Sequence, residues 1–102
     1  MTIAELTELM HNFVRDKGWY ETTSIHPQTP RNLAISLTLE SAEVLECFQW
    51  KEELTESDRA ALASELADVA LYLLQLASIS GIDLESAILE KLKRNATRTW
   101  DK

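Results

Sequence analysis

Two pairs of carboxylates stand inside the two most apolar stretches of this chain, and any fold must account for them. Glu40 and Glu43 are crowded by Leu37, Leu39, Val44 and Leu45; Glu65 and Asp68 by Leu62, Leu66, Val69 and Leu71. On a helix, residues three apart share a face. A carboxylate drawn into apolar surroundings is costly unless it is paired or bound to a cation.

The surrounding pattern is helical throughout. Only two Gly and two Pro interrupt 102 residues, so an all-α, four-helix bundle in a single domain, residues 1–102, is expected. Ile3, Leu6, Leu9, Met10, Phe13 and Val14 predict a first helix over Thr2–Lys17, capped by Gly18. The loop 18–30 holds Trp19 and Tyr20; Trp19 either covers a ligand or plugs the core. Thr29-Pro30 starts a second helix, Arg31–Trp50. In projection Glu40 and Glu43 fall between its apolar stripes, off the polar strip of Thr38 and Gln49. A charged turn, 51–57, leads to a third helix, Asp58–Ser80, and Gly81 and Asp83 separate it from a fourth, Asp83–Thr97. The apolar run Ala60–Ile82 carries Glu65 and Asp68 and reads as a buried helix rather than a membrane span.

Counting from the turn sets the acids level. Glu43 and Glu40 lie seven and ten residues before Trp50; Glu65 and Asp68 lie seven and ten after Asp58. In an antiparallel hairpin all four carboxylates then sit roughly 10–15 Å from the turn. Such a group does not stay fully ionised without cations. Oxygen ligands with neither Cys nor His among them select Mg²⁺, or Mn²⁺, over Zn²⁺. Divalent cations held this way suit phosphate-ester chemistry. The bland alternative is a set of surface acids paired with Lys or Arg across a contact.

Pro30-Arg31-Asn32-Leu33, Leu39-Glu40-Ser41-Ala42-Glu43-Val44-Leu45-Glu46-Cys47-Phe48-Gln49-Trp50 and Glu65-Leu66-Ala67-Asp68-Val69-Ala70-Leu71-Tyr72 together resemble the MazG-like nucleotide pyrophosphohydrolases. The likeness is greatest to their dCTP pyrophosphatase-like branch and spans Phe13 to Asn95. It implies an all-α fold, a homodimer or homotetramer, and Mg²⁺-dependent cleavage of a nucleoside triphosphate to monophosphate and pyrophosphate. By the same resemblance Glu40, Glu43, Glu65 and Asp68 are metal ligands. Trp19, His26, Trp50 and Tyr72 match nucleoside-pocket positions, and Lys51, Lys91, Arg94 and Asn95 match phosphate contacts. Leu39 stands where many members have a further acid, and Asn95-Ala96-Thr97-Arg98-Thr99-Trp100 replaces a Lys/Asn-rich ending with Tyr-Pro.

Other chemistries fit less well. Cys47 has no His partner on the second and third helices, so a thiol nucleophile is not expected. A di-iron bundle needs Glu-x-x-His on facing helices, and these two have no His. His11 reads as a surface or core residue, and Ser36 as packing relief. A net charge of −7 argues against a nucleic-acid polymer as partner. A single cysteine and the absence of a signal-like start predict a cytoplasmic chain. The competing reading is a non-catalytic helical oligomeric interaction module with a structural cation site. Self-association is expected on either reading, because the third helix is apolar all round.

Overall fold

The computed structural model describes residues 1–99, so Trp100, at the end of the divergent C-terminal motif, lies outside them. Helix α1 (Ile3–Asp16) opens on a capping box, in which Glu5 N donates to Thr2 Oγ1 at 3.1 Å and Thr2 N donates to Glu5 Oε1 at 3.0 Å. Gly18, at φ 75°, turns the chain out of it. Helix α2 (Pro30–Glu46) begins at Thr29, whose Oγ1 accepts from Asn32 N at 3.2 Å.

Helix α2 stops at Glu46, four residues short of the expected end at Trp50. Phe48 N donates to the Leu45 carbonyl at 3.0 Å and Gln49 N to the Glu46 carbonyl at 3.2 Å. These three-residue bonds tighten the chain into a turn. Trp50 then takes φ 70°, a left-handed conformation uncommon for a bulky side chain, and reverses the chain. Helix α3 (Glu56–Ile79) begins two residues earlier than expected, because Thr55 caps it. Asp58 N donates to Thr55 Oγ1 at 3.3 Å, Thr55 N donates back to Asp58 Oδ2 at 3.0 Å, and Lys51 Nζ pairs with Asp58. That lysine, with the capping bonds, holds the Asp58 carboxyl down to about 2. Asp83 caps helix α4 (Leu84–Thr97), its Oδ1 accepting from Ser86 N at 3.2 Å.

The main interface is between α2 and α3. Glu43 faces Glu65 near their connecting turn, and Leu33 and Ser36 share a cavity with Tyr72 and Gln75 further from it, so the two helices are antiparallel. Helix α1 packs on α3, burying Met10 and Val14, while Leu33 is the most deeply buried large side chain. Helix α4 touches α3 lightly and buries none of its residues.

The expectation that the third helix is buried is corrected for the isolated chain. Only Gln75 and Ala77 of α3 are fully buried, and Leu66, Leu71 and Leu73 are exposed. Among the described residues α3 alone is long and apolar enough to cross a membrane by length and composition, but Glu65 and Asp68 lie within it. The radius of gyration is 16.4 Å, against about 13 Å for a compact domain of this length. Within this one chain α3 is therefore only partly covered.

Candidate functional site

The matched register of α2 and α3 brings the acids together. One oxygen from each of Glu40, Glu43 and Glu65 lies within 4.8 Å of the others. Asp68, one turn beyond Glu65, is near enough for its charge to act on both Glu40 and Glu65. The Glu65 carboxyl is pushed up to about 7, first by the close Glu43 carboxylate at its hydrogen-bonding position, then by loss of water and by the like charges of Glu43, Glu40 and Asp68. Burial is the largest influence raising the Glu40 carboxyl, followed by Glu43 and Asp68. Oε2 of Glu40 and Oε2 of Glu65 are sealed from solvent without a hydrogen-bond partner. Buried acceptors left unpaired call for a cation. The residues present therefore fit a hard divalent ion, with carboxylate oxygens as its only protein donors.

A cavity of about 800 Å³ opens beside this cluster, and Asp68 lines it. Its walls are mostly apolar: Met10, Phe13 and Val14 from α1, Leu33 and Ile35 from α2, Leu71 and Tyr72 from α3. Trp19, His26 and Gln28 approach from the loop 18–29. Trp19 meets the Phe13 ring edge-on, with centroids 5.7 Å apart. That contact fixes one wall of the cavity, and because Phe13 is itself exposed, Trp19 lines the open volume rather than plugging the core.

The remaining candidates lie elsewhere in the single chain. Trp50 is 94% exposed and is not part of the cavity wall, because α2 has ended and its left-handed backbone turns the ring outward. Lys51 is held by Asp58 at the start of α3. Lys91, Arg94 and Asn95 stand on the lightly packed α4 and do not line the cavity. Cys47 Sγ donates to the Glu43 carbonyl at 3.7 Å and has no imidazole beside it among the described residues. Ser36 lines the cavity.

A polar network stands behind the cavity, and two of its members, Gln28 and Gln75, line the wall. His11 is buried, with Nδ1 2.6 Å from Tyr20 Oη and Nε2 2.7 Å from Ser78 Oγ. Gln75 Nε2 donates to Tyr20 Oη at 3.2 Å and to Gln28 Oε1 at 2.8 Å. Burial pushes the Tyr20 phenol up. The network ties the loop to α1 and α3 and so holds Trp19 and Gln28 over the cavity. One signal for it is present in the sequence: Asp68, Tyr72 and Gln75 recur at helical spacing on one face of an otherwise apolar helix.

A MazG-like family model matches residues 35–102, about two thirds of the chain. The chain belongs to the MazG-like family. Human dCTP pyrophosphatase 1 is 34% identical over 104 residues, covering 95% of this chain and 58% of that protein. The dATP/dGTP diphosphohydrolase of cyanophage S-2L is 46% identical over 48 residues, 47% of this chain and 46% of the phage protein. Among solved structures, a pyrophosphatase from Archaeoglobus fulgidus DSM 4304 superposes with a TM-score of 0.74 at 33% identity, covering 90% of this chain and 86% of that one. The chain spans a little under three fifths of the length of the mammalian relatives it matches. The matched segment of this MazG-like chain contains all four clustered acids and Gln75.

Proposed function

We propose that this protein hydrolyses a (deoxy)nucleoside triphosphate to the monophosphate and pyrophosphate, with Mg²⁺ held by Glu40, Glu43, Glu65 and Asp68. The observation that carries this reading is three converging carboxylate oxygens within 4.8 Å, two of the three acids having a sealed and unpaired oxygen, beside a nucleoside-sized cavity whose wall includes Asp68. Names of the relatives, which include dCTP pyrophosphatase 1 and dATP/dGTP diphosphohydrolase, support the substrate class.

The chain's own groups divide the work. Asp68 stands at the junction of cluster and cavity and so orients the triphosphate relative to the nucleoside. Trp19 and Tyr72 line the cavity and supply the aromatic rings for stacking on the base, a contact of about 1–3 kcal/mol. The apolar lining excludes water from the nucleoside end and confines it to the acidic end. There a water oxygen bonds to the α-phosphorus as the α-phosphorus–oxygen bond to pyrophosphate breaks. Pyrophosphate leaves with the bonding electron pair, and a carboxylate of the cluster accepts the water's proton. Bound Mg²⁺ supplies neutralisation of phosphate charge and an easier deprotonation of water. The experiment is incubation of each dNTP and NTP with Mg²⁺ and assay of monophosphate and pyrophosphate. The two should appear in equal amounts and neither should appear in EDTA.

The protein works as at least a dimer on this account. No residue of helix α4 is fully buried, α3 is uncovered on several sides, and Leu39, Leu45, Leu89 and Leu92 are all exposed. A second chain would cover these faces and could bring Lys91, Arg94 or Trp50 toward an acidic cluster. Light scattering at micromolar concentration should give at least twice the 11.6 kDa chain mass; a monomer mass would contradict it.

A further inference from the structure

Gln75 is 3% exposed, yet it lines the cavity. Its orientation follows from its partners. Gln28 Nε2 lies 2.7 Å from the His26 carbonyl, which can only accept, so Gln28 turns Oε1 toward Gln75. The Gln75 atom facing that oxygen is therefore its nitrogen, Nε2. The second hydrogen of Nε2 goes to Tyr20 Oη, leaving the phenol proton for His11 Nδ1 and the His11 Nε2 proton for Ser78 Oγ. Both Gln75 donors are thus spent within the protein. Gln75 Oε1 accepts no hydrogen bond among the described residues and is not among the oxygens sealed from solvent. The one hydrogen-bonding capacity this cavity-lining side chain leaves unspent is a fixed acceptor.

Position says what that acceptor meets. Gln75 lies seven residues along α3 from Asp68, with Tyr72 between them on the same face. That is about 10 Å along the helix axis, the scale of a sugar plus a base. A nucleotide with its phosphates at the acidic cluster places the base edge farthest from the sugar at Gln75. On that edge adenine and cytosine carry an exocyclic amine, a donor; guanine and thymine carry a keto oxygen, an acceptor. We propose that Gln75 is a base-reading residue whose carbonyl oxygen accepts from the exocyclic amine of an adenine- or cytosine-type base, so that the site prefers amino to keto bases. Gln28 and Tyr20 act as positioning residues, because they stop the amide from flipping. A keto base sets two acceptors against each other in a buried place, and the locked amide offers no escape. The proposal rests on the nucleotide reading of the cavity.

The test measures binding and turnover separately. Calorimetry with Mg²⁺ and α,β-imido analogues of the four deoxynucleoside triphosphates reads binding; release of pyrophosphate from the natural substrates reads turnover. The expected preference for each amino base over the keto base of the same ring type is about tenfold or more in Kd and in kcat/KM. Deleting the amine, as in the purine deoxyriboside analogue of the adenine nucleotide, should lose most of that preference in the unmodified protein. Gln75→Met should bring amino and keto bases to within about threefold of each other, with helix content by circular dichroism reporting the fold. Equal binding of amino and keto bases, or an amine-deleted analogue that binds as well as its parent, overturns the inference while leaving the nucleotide reading intact. Binding without turnover overturns only the hydrolytic function. No binding of any of the four overturns both.

Discussion

Glu43→Gln should cut turnover of a nucleoside triphosphate by about a thousandfold and, in EDTA, raise the melting temperature. Both effects have one cause. Glu43 belongs to the three-carboxylate cluster and is the neighbour that most raises the Glu65 carboxyl. An amide there keeps the shape and removes a charge. Without a cation that relieves repulsion, so the folded state gains. With substrate, the site has lost one of its anionic ligands, and losing several kcal/mol of transition-state stabilisation lowers the rate by about a thousandfold. A purely structural role for Glu43 would move stability and activity in the same direction. Turnover within tenfold of the unmodified protein would remove Glu43 from the cation site.

The second large effect is a pH dependence that Mg²⁺ should erase. Glu65 is raised from an ordinary 4.5 to about 7, and Glu40 is raised as well. The folded state therefore binds these protons more tightly than the unfolded state does. Below 4.5 both states are protonated at Glu65, and its ionisation costs nothing. As the pH rises from there toward 7 the unfolded chain releases a proton that the folded chain keeps, so stability falls, and it levels off above the folded value. Asp58, held down to about 2 by Lys51, titrates below this window and does not mask the slope. Thermal melts in EDTA should therefore decline across the window. Melts with saturating Mg²⁺ should be flat or rising, because the cation takes the place of the protons. Melting curves that ignore pH in EDTA, or that ignore Mg²⁺ at pH 8, would count against the cluster as a cation site.

The acidic cluster was legible in the sequence because its geometry is local. Two three-residue spacings and equal counts from one turn fix the level of Glu40, Glu43, Glu65 and Asp68, and the structure brings the first three within 4.8 Å. Helix α2 ends at Glu46 and α3 starts at Glu56, but relative register is set by the packed faces rather than by the tip of the turn. Trp50 was less legible, since helical continuation predicts its direction and a left-handed residue reverses it. The helical spacing of Asp68, Tyr72 and Gln75 marks the face, but the partners of Gln75 were not legible, because Tyr20 and Gln28 lie 55 and 47 residues away in sequence. An isolated glutamine in an apolar run shows no partners until loop and helix are packed together. Helix α3 read as buried because so apolar a surface must be covered by something; a single chain of this length covers only part of it.

Incubation of the folded protein with Mg²⁺ and the dNTP panel in ¹⁸O-labelled water decides whether the four acids and the cavity form a pyrophosphohydrolase site. Pyrophosphate and an equal amount of monophosphate should form, with the label in the monophosphate, and no products should form in EDTA. Label in pyrophosphate, release of orthophosphate instead, or no cleavage of any triphosphate by protein of native helix content would contradict it.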